Sequence, residues 1–311
     1  MIAVMSDEEA IMGMRLSCAG KILRQPLFSR GAAHALLILL GFCVAAAASA
    51  AAPSPEINVA SYNLRLNVAS DGANAWPHRV DAVKALIRYH EFDIVGTQEG
   101  LPQQIADLDA MPGFAHVGVG RDDGKDAGEH SAIYYRTARF EVEKHGDYWL
   151  SETPDRPSKG WDAKCCNRIA SWAKFHDRIS GKRFFVFNVH FDHQGEVARR
   201  ESAKLMLRKM HEIAGDATLI CTGDFNSTPD TEQVRTMKTA LRDAREVSAE
   251  PAYGPQGTFE DFKLDSALPE RIDYIFVGRG IDVLKYATLT DSVEARFPSD
   301  HLPVVARIRL P

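Results

Sequence analysis

The chain has 311 residues, 45% hydrophobic and 25% charged, which suits a globular protein with a sizeable core. Its formal net charge is −5, and residues 1–52 hold four bases (Arg15, Lys21, Arg24, Arg30) against three acids (Asp7, Glu8, Glu9), so the remainder is slightly more acidic still. That balance argues against non-specific binding of long nucleic acid, which favours a positive face.

Lys21, Arg24 and Arg30 precede AAHALLILLGFCVAAAASAAAPSP, an apolar run that ends in small residues at A-x-A spacing. This is the pattern of a secretory signal cut near residues 50–52, and MIAVMSDEEAIMG ahead of it suggests a start at Met14. The run is nearly long enough to stay as a membrane anchor. LGFC at 40–43 also faintly resembles a lipid-attachment box, with bulky Phe42 where a small residue is wanted. Export with cleavage is the expected outcome, leaving a periplasmic or secreted domain over residues 53–311.

Beyond residue 55 the strand-like runs are, in order, INVASYNL, DIVGTQE, AHVGVG, SAIYYR, IASWAKF, RFFVFNVHF, ATLICTGDF, RIDYIFV and LPVVARIRL. Pro77 opens a helical pattern, HRVDAVKALIRYH, with apolar residues at Val80, Val83, Ala85, Leu86 and Ile87. Residues 196–214, EVARRESAKLMLRKMHEIA, form a second amphipathic helix with a basic face. Residues 151–167, rich in Pro, Lys and Asp, read as a surface loop. Many strands with a few interleaved helices predict one α/β domain with layered sheets. Cys165, Cys166 and Cys221 make neither a disulfide framework nor a zinc spacing. The adjacent pair is poorly disposed for a bridge, although an oxidising compartment leaves one open.

Polar residues end or interrupt these strands with one logic. Asn63 follows VASY, Glu99 follows DIVGTQ, His190 follows FFVFNV, and Asp224 and Asn226 follow TLICTG. Asp273 sits inside RIDYIFV, and Asp300-His301 precedes LPVVARI. Taken singly, Asn63 reads as a turn former, Glu99 as a cap and His190 as a core histidine. Together they place carboxylates, amides and imidazoles where burial without a partner is costly. Such a set suits a hard cation, Mg²⁺ or Mn²⁺, and an His–Asp pair suits proton handling at a phosphate.

SYNLR, TQEG, NVHFDH, GDFNSTPD, RIDYIFV and SDHLPV resemble, in order, the motifs of the endonuclease/exonuclease/phosphatase superfamily of metal-dependent phosphoesterases. The resemblance implies a four-layer α/β sandwich, two mixed β-sheets packed face to face with helices outside. It implies Glu99 as principal metal ligand, with Asn63 beside it and Asp300 reaching the metal directly or through water. Asp224 would activate the attacking water, helped by Asn226. His301, oriented by Asp273, would act on the phosphate, and His190 would bind another phosphate oxygen. Arg168 looks similar to a phosphate-side arginine of deoxyribonuclease-like members, and a surface arginine is an equal reading. Asp192 and His193 resemble a variant of the fourth motif, with structural and supporting roles both open. GVGRDDGKDAGEHSAIYYR and YWLSETPDRPSKGWD resemble a bacterial subgroup near which sugar-phosphate phosphatases occur. The expected substrate is a small phosphomonoester or phosphodiester. The alternatives are a secreted nuclease, favoured by Arg199, Arg200, Lys204, Arg208 and Lys209, and a non-catalytic binding module.

Overall fold

The computed structural model describes residues 55–311, so the signal segment inferred for residues 1–52 lies outside the described residues. Strands follow from runs in which alternate or consecutive positions are buried. They are β1 (Glu56–Asn63), β2 (Ile94–Gln98), β3 (Phe114–Val117), β4 (Ile133–Arg136), β5 (Phe140–Trp149) and β6 (Ile169–Asp177), then β7 (Arg183–His190), β8 (Leu219–Asp224), β9 (Arg242–Asp243), β10 (Asp273–Val277), β11 (Asp282–Thr288) and β12 (Val304–Arg309). Helices α1 (Val80–Tyr89), α2 (Pro102–Asp109), α3 (Glu196–Ala214) and α4 (Glu232–Lys238) lie between them.

The strands form two six-stranded sheets, ordered β11-β12-β1-β2-β4-β3 and β5-β6-β7-β8-β10-β9. Each sheet has one parallel pair, β1 with β2 and β7 with β8. Ile57, Val59, Ile94 and Ile133 of the first sheet pack with Phe175, Val186, Ile220 and Ile275 of the second in a shared apolar layer. Outside the first sheet, Val83, Leu86 and Ile87 of α1 and Ile105 and Leu108 of α2 cover Ala60, Tyr62 and Val95. Outside the second, Leu205, Met206 and Met210 of α3 and Val234 and Met237 of α4 cover Phe187, Cys221 and Phe276. The result is the helix–sheet–sheet–helix sandwich that the resemblance implied.

Strands β5, β9 and β11 and helices α2 and α4 were not expected from the sequence. β5 and β11 lie at sheet edges, where one side meets water. FEVEKHGDYW and DVLKYAT therefore carry charges that blur an apolar run, and such charges also protect an open edge. α2 and α4 have only 8 and 7 residues, too short to set up a clear helical period. α3 spans the expected residues, while the turn at Pro77 is a separate 3-10 segment, Trp76–His78, ahead of α1.

Near one end of the sandwich the layer between the sheets turns polar. Asn188 on β7 donates to the Thr97 and Ala132 carbonyls across the gap, at 2.7 and 3.0 Å. Its Oδ1 accepts from Gln98 Nε2 (2.8 Å) and Thr222 Oγ1 (3.0 Å). Gly96 makes room for this contact, since a methyl group there would collide with Thr222 Oγ1 and the Asn188 amide. Gly96→Ala is expected to destabilise the protein by about 1–3 kcal/mol through overpacking. A urea midpoint equal to that of the wild type would contradict this.

Candidate active site

Strand register explains how distant residues meet. His190 ends β7 and stands beside Asp224 on β8, which stands beside Asp273 on antiparallel β10. On the other sheet Asn63 ends β1 beside Gln98, and Glu99 follows directly. Asp300 and His301 enter just ahead of β12, which pairs with β1 at the same end. Glu99 has φ +63° and Asn226 φ +44°. Both lie in the left-handed region, which asparagine tolerates but glutamate seldom adopts, so Glu99 is the one held there by its surroundings.

Asn63 is fully buried and its amide nitrogen donates to Glu99 Oε1 (2.9 Å) and Asp224 Oδ2 (3.0 Å). Its Oδ1 accepts from the Arg65 backbone N–H at 3.0 Å. Asn63 therefore sits beside Glu99 as expected, as a brace between two carboxylates. Glu99 Oε2 takes the Leu66 N–H at 2.9 Å, and Asp224 Oδ1 takes the Asn226 N–H at 2.8 Å. Asn226 ties its own amide nitrogen to the Phe191 carbonyl at 3.0 Å.

His301 Nδ1 lies 2.9 Å from Asp273 Oδ2, and its Nε2 lies 3.9 Å from Asp224 Oδ2. Burial works against protonation of this ring, but Asp273, Asp224 and Asp300 outweigh it and hold the pKa well above the usual value. His190 behaves in the opposite way. Burial, Arg168 and Arg121 push it well below the usual value, so the ring is neutral at pH 7. Its Nε2 lies 3.5 Å from Asp224 Oδ2. Burial and the charge of Asp273 raise Asp224 to about 7. Asp300 is raised by burial and by Glu99.

Arg168 is buried, with Nε 3.4 Å from Asp192 Oδ2 and Nη2 2.7 Å from His193 Nδ1. It lines one cavity of about 410 Å³ with Glu99, His190, His193, Asp224, Asn226, Asp300 and His301. The structure thus gathers the sequence candidates around one cavity, with Asn63 and Asp273 bracing its wall. Arg121 and Glu129 line it too and were given no role by sequence reasoning. Glu129 Oε2 accepts from Arg121 Nη1 at 2.5 Å and lies 3.8 Å from His190 Nδ1, a buried nitrogen with no hydrogen-bond partner among the described residues. The signal was an arginine and a glutamate inside GRDDGKDAGEH, a polar loop whose pairing depends on its fold. Cys166 reaches the cavity rim and is bonded to Cys165, while Cys221 is free and buried. The bridge between adjacent cysteines is thus formed, although their spacing alone disfavoured it.

Ligand atoms of Glu99, His190 and Asp224 lie within 4.8 Å of one another. Three carboxylates, Glu99, Asp224 and Asp300, face the same space, and two of them are driven towards protonation, first by burial and then by a neighbouring carboxylate, Asp273 for Asp224 and Glu99 for Asp300. A divalent cation relieves that crowding, and oxygen donors suit a hard ion. The donor set therefore fits a metal.

Residues 60–301 match the model of the endonuclease/exonuclease/phosphatase family. The chain belongs to that family. Family membership makes it an enzyme of the phosphoesterase class, in a family that is metal-dependent. A family protein from Bacteroides thetaiotaomicron is 44% identical, with 84% of this chain and 100% of that one covered and a TM-score of 0.80. A mannosyl-6-phosphatase from the same organism is 45% identical, covering 81% and 99%, with a TM-score of 0.78. The human nocturnin catalytic domain, 18% identical over 83% and 94% with a TM-score of 0.65, shares the fold. Among curated proteins, an uncharacterized protein of Acanthamoeba polyphaga mimivirus is 28% identical over 159 residues, 49% of this chain. The chain spans 59% of that relative's length and 37% of a second mimivirus protein's.

The carboxylates around His301 give a checkable consequence. In an NMR titration its ring should stay protonated well above pH 6.5, the usual histidine midpoint. Asp273→Asn should lower the midpoint, because the anion that favours the imidazolium is gone. A wild-type midpoint at or below about 6.5 would contradict the electrostatic picture.

Proposed function

We propose that this enzyme uses Mg²⁺ or Mn²⁺ to hydrolyse a small phosphomonoester, a sugar phosphate being the expected type. The observation that carries the reading is the cavity itself. It is about 410 Å³, suited to a phosphate and a small alcohol, and its rim includes the carboxylates of Asp261 and Glu270. These would repel the flanking phosphates of a polynucleotide. The basic run on α3 also lends the nuclease reading little support. Arg200 is paired with Glu196 and Glu232, Lys204 with Glu201, Lys209 with Glu212, and Arg199 binds the Asp192 carbonyl. The mannosyl-6-phosphatase relative supports the choice of substrate class.

In this reading Glu99 and Asp300 hold the metal, with Asn63 fixing Glu99. When bound, the ion would draw negative charge from the phosphate and from the departing oxygen. Asp224, braced by Asn63 and the Asn226 N–H, accepts the proton of the attacking water as its oxygen bonds to phosphorus. The phosphorus–alcohol oxygen bond breaks on the opposite side, and the departing oxygen takes a proton from solvent water to leave as the alcohol. His301, cationic and steadied by Asp273, balances charge on the phosphate oxygens. Neutral His190 offers one N–H to a phosphate oxygen, and Arg168 supplies a fixed positive charge. The bond between Cys165 and Cys166 suits the oxidising compartment that the N-terminal segment implies, so export belongs to this proposal.

Turnover of hexose 6-phosphate should exceed cleavage of duplex DNA under the same metal and respond weakly to salt. Binding to DNA through many phosphate contacts would instead weaken steeply as salt rises. Chelation should abolish activity, and added Mg²⁺ or Mn²⁺ should restore it. Faster, strongly salt-dependent DNA cleavage would overturn the substrate assignment, and full activity in excess chelator would overturn the metal.

A further inference from the structure

His193 is fixed in a way that determines its chemistry. Arg168 Nη2 lies 2.7 Å from its Nδ1, and a guanidinium only donates, so Nδ1 must accept. The ring is then neutral, with its proton on Nε2. Burial and Arg168 also lower its pKa. The arginine is itself held. Asp192 Oδ2 receives its Nε, while Asp192 Oδ1 receives the Gln194 and Gly195 N–H groups at 2.9 and 2.6 Å. Asp192 is 1% exposed, so this support is buried and rigid. Cys165 Sγ stands within 4.8 Å of the ligand atoms of Asp192 and His193, which puts the disulfide turn against the same group.

The ring lines the cavity shared by Asp224, His190 and His301. A charged phosphate is served there by the imidazolium of His301 and by Arg168. With His190 already giving the phosphate a neutral N–H, the second neutral donor on the lining, His193 Nε2–H, is left for an uncharged oxygen. Asp261 and Glu270, also on the lining, offer acceptors, so an alcohol with several hydroxyls would find both donors and acceptors. We propose that His193 is a specificity-determining residue whose Nε2–H binds a hydroxyl of the leaving alcohol. The proposal rests on the phosphomonoesterase reading above.

The test uses the Mg²⁺-loaded full chain with hexose 6-phosphate, glycerol 3-phosphate and p-nitrophenyl phosphate, whose leaving group has no hydroxyl. His193→Ala should lower kcat/KM about tenfold on the hexose phosphate, mostly through KM, and change p-nitrophenyl phosphate by less than about threefold. His193→Gln, which can accept from Arg168 and still donate, should recover most of the loss. Equal losses on all substrates, or no loss on any, would overturn the proposal. It would also fall, with the phosphomonoesterase reading intact, if the wild type hydrolysed p-nitrophenyl phosphate but neither hydroxylated ester. Failure of the wild type on all three would remove the underlying reading and this inference together.

Discussion

The contact on which the site depends is the amide of Asn188, buried between the two sheets. Sheets packed face to face normally meet through apolar side chains, as they do here over most of the interface. At the catalytic end the amide instead uses both N–H groups on backbone carbonyls and its oxygen on Gln98 and Thr222. A buried amide satisfied in this way fixes the sheets in one register, because sliding them would strand several polar groups at once. The catalytic candidates sit one or two residues further along the same strands. Glu99 follows Gln98, His190 lies two beyond Asn188, and Asp224 lies two beyond Thr222. The spacing of the sheets is therefore also the spacing of the site.

Within that frame the charges are sorted by their neighbours. Two histidines close to Asp224 take opposite states, since His301 has Asp273 behind it while His190 faces Arg168 and Arg121. One imidazole is thus a fixed cation and the other a neutral donor. Asp224 stands between them, raised to about 7 by burial and Asp273, and Asn63 joins it to Glu99. A carboxylate poised near neutrality, held by an amide and flanked by both kinds of imidazole, can receive a proton from water without leaving its position.

Much of this was legible in the sequence, for a physical reason. Strand ends that carry chemistry break an apolar run with a polar residue, and that break is visible at Asn63, Glu99, His190 and Asp224. Central strands were readable because both faces are buried. Edge strands such as β5 and β11 were not, since half their residues are solvated. Three features depend on folding and left no pattern. Gly96 is needed only because Asn188 arrives from another sheet. Glu129 gains meaning only when a loop closes on His190. The ring state of His193 follows from an arginine 25 residues away.

The central claim is that Asp224 activates water for attack on phosphorus. Hydrolysis of a hexose 6-phosphate in ¹⁸O-labelled water, with the products read by mass spectrometry, tests it most directly. One labelled oxygen per turnover should appear in inorganic phosphate, none in the sugar, and Asp224→Asn should suppress the labelled product with the fold intact. Label in the sugar hydroxyl, or undiminished labelling of phosphate in Asp224→Asn, would contradict the account.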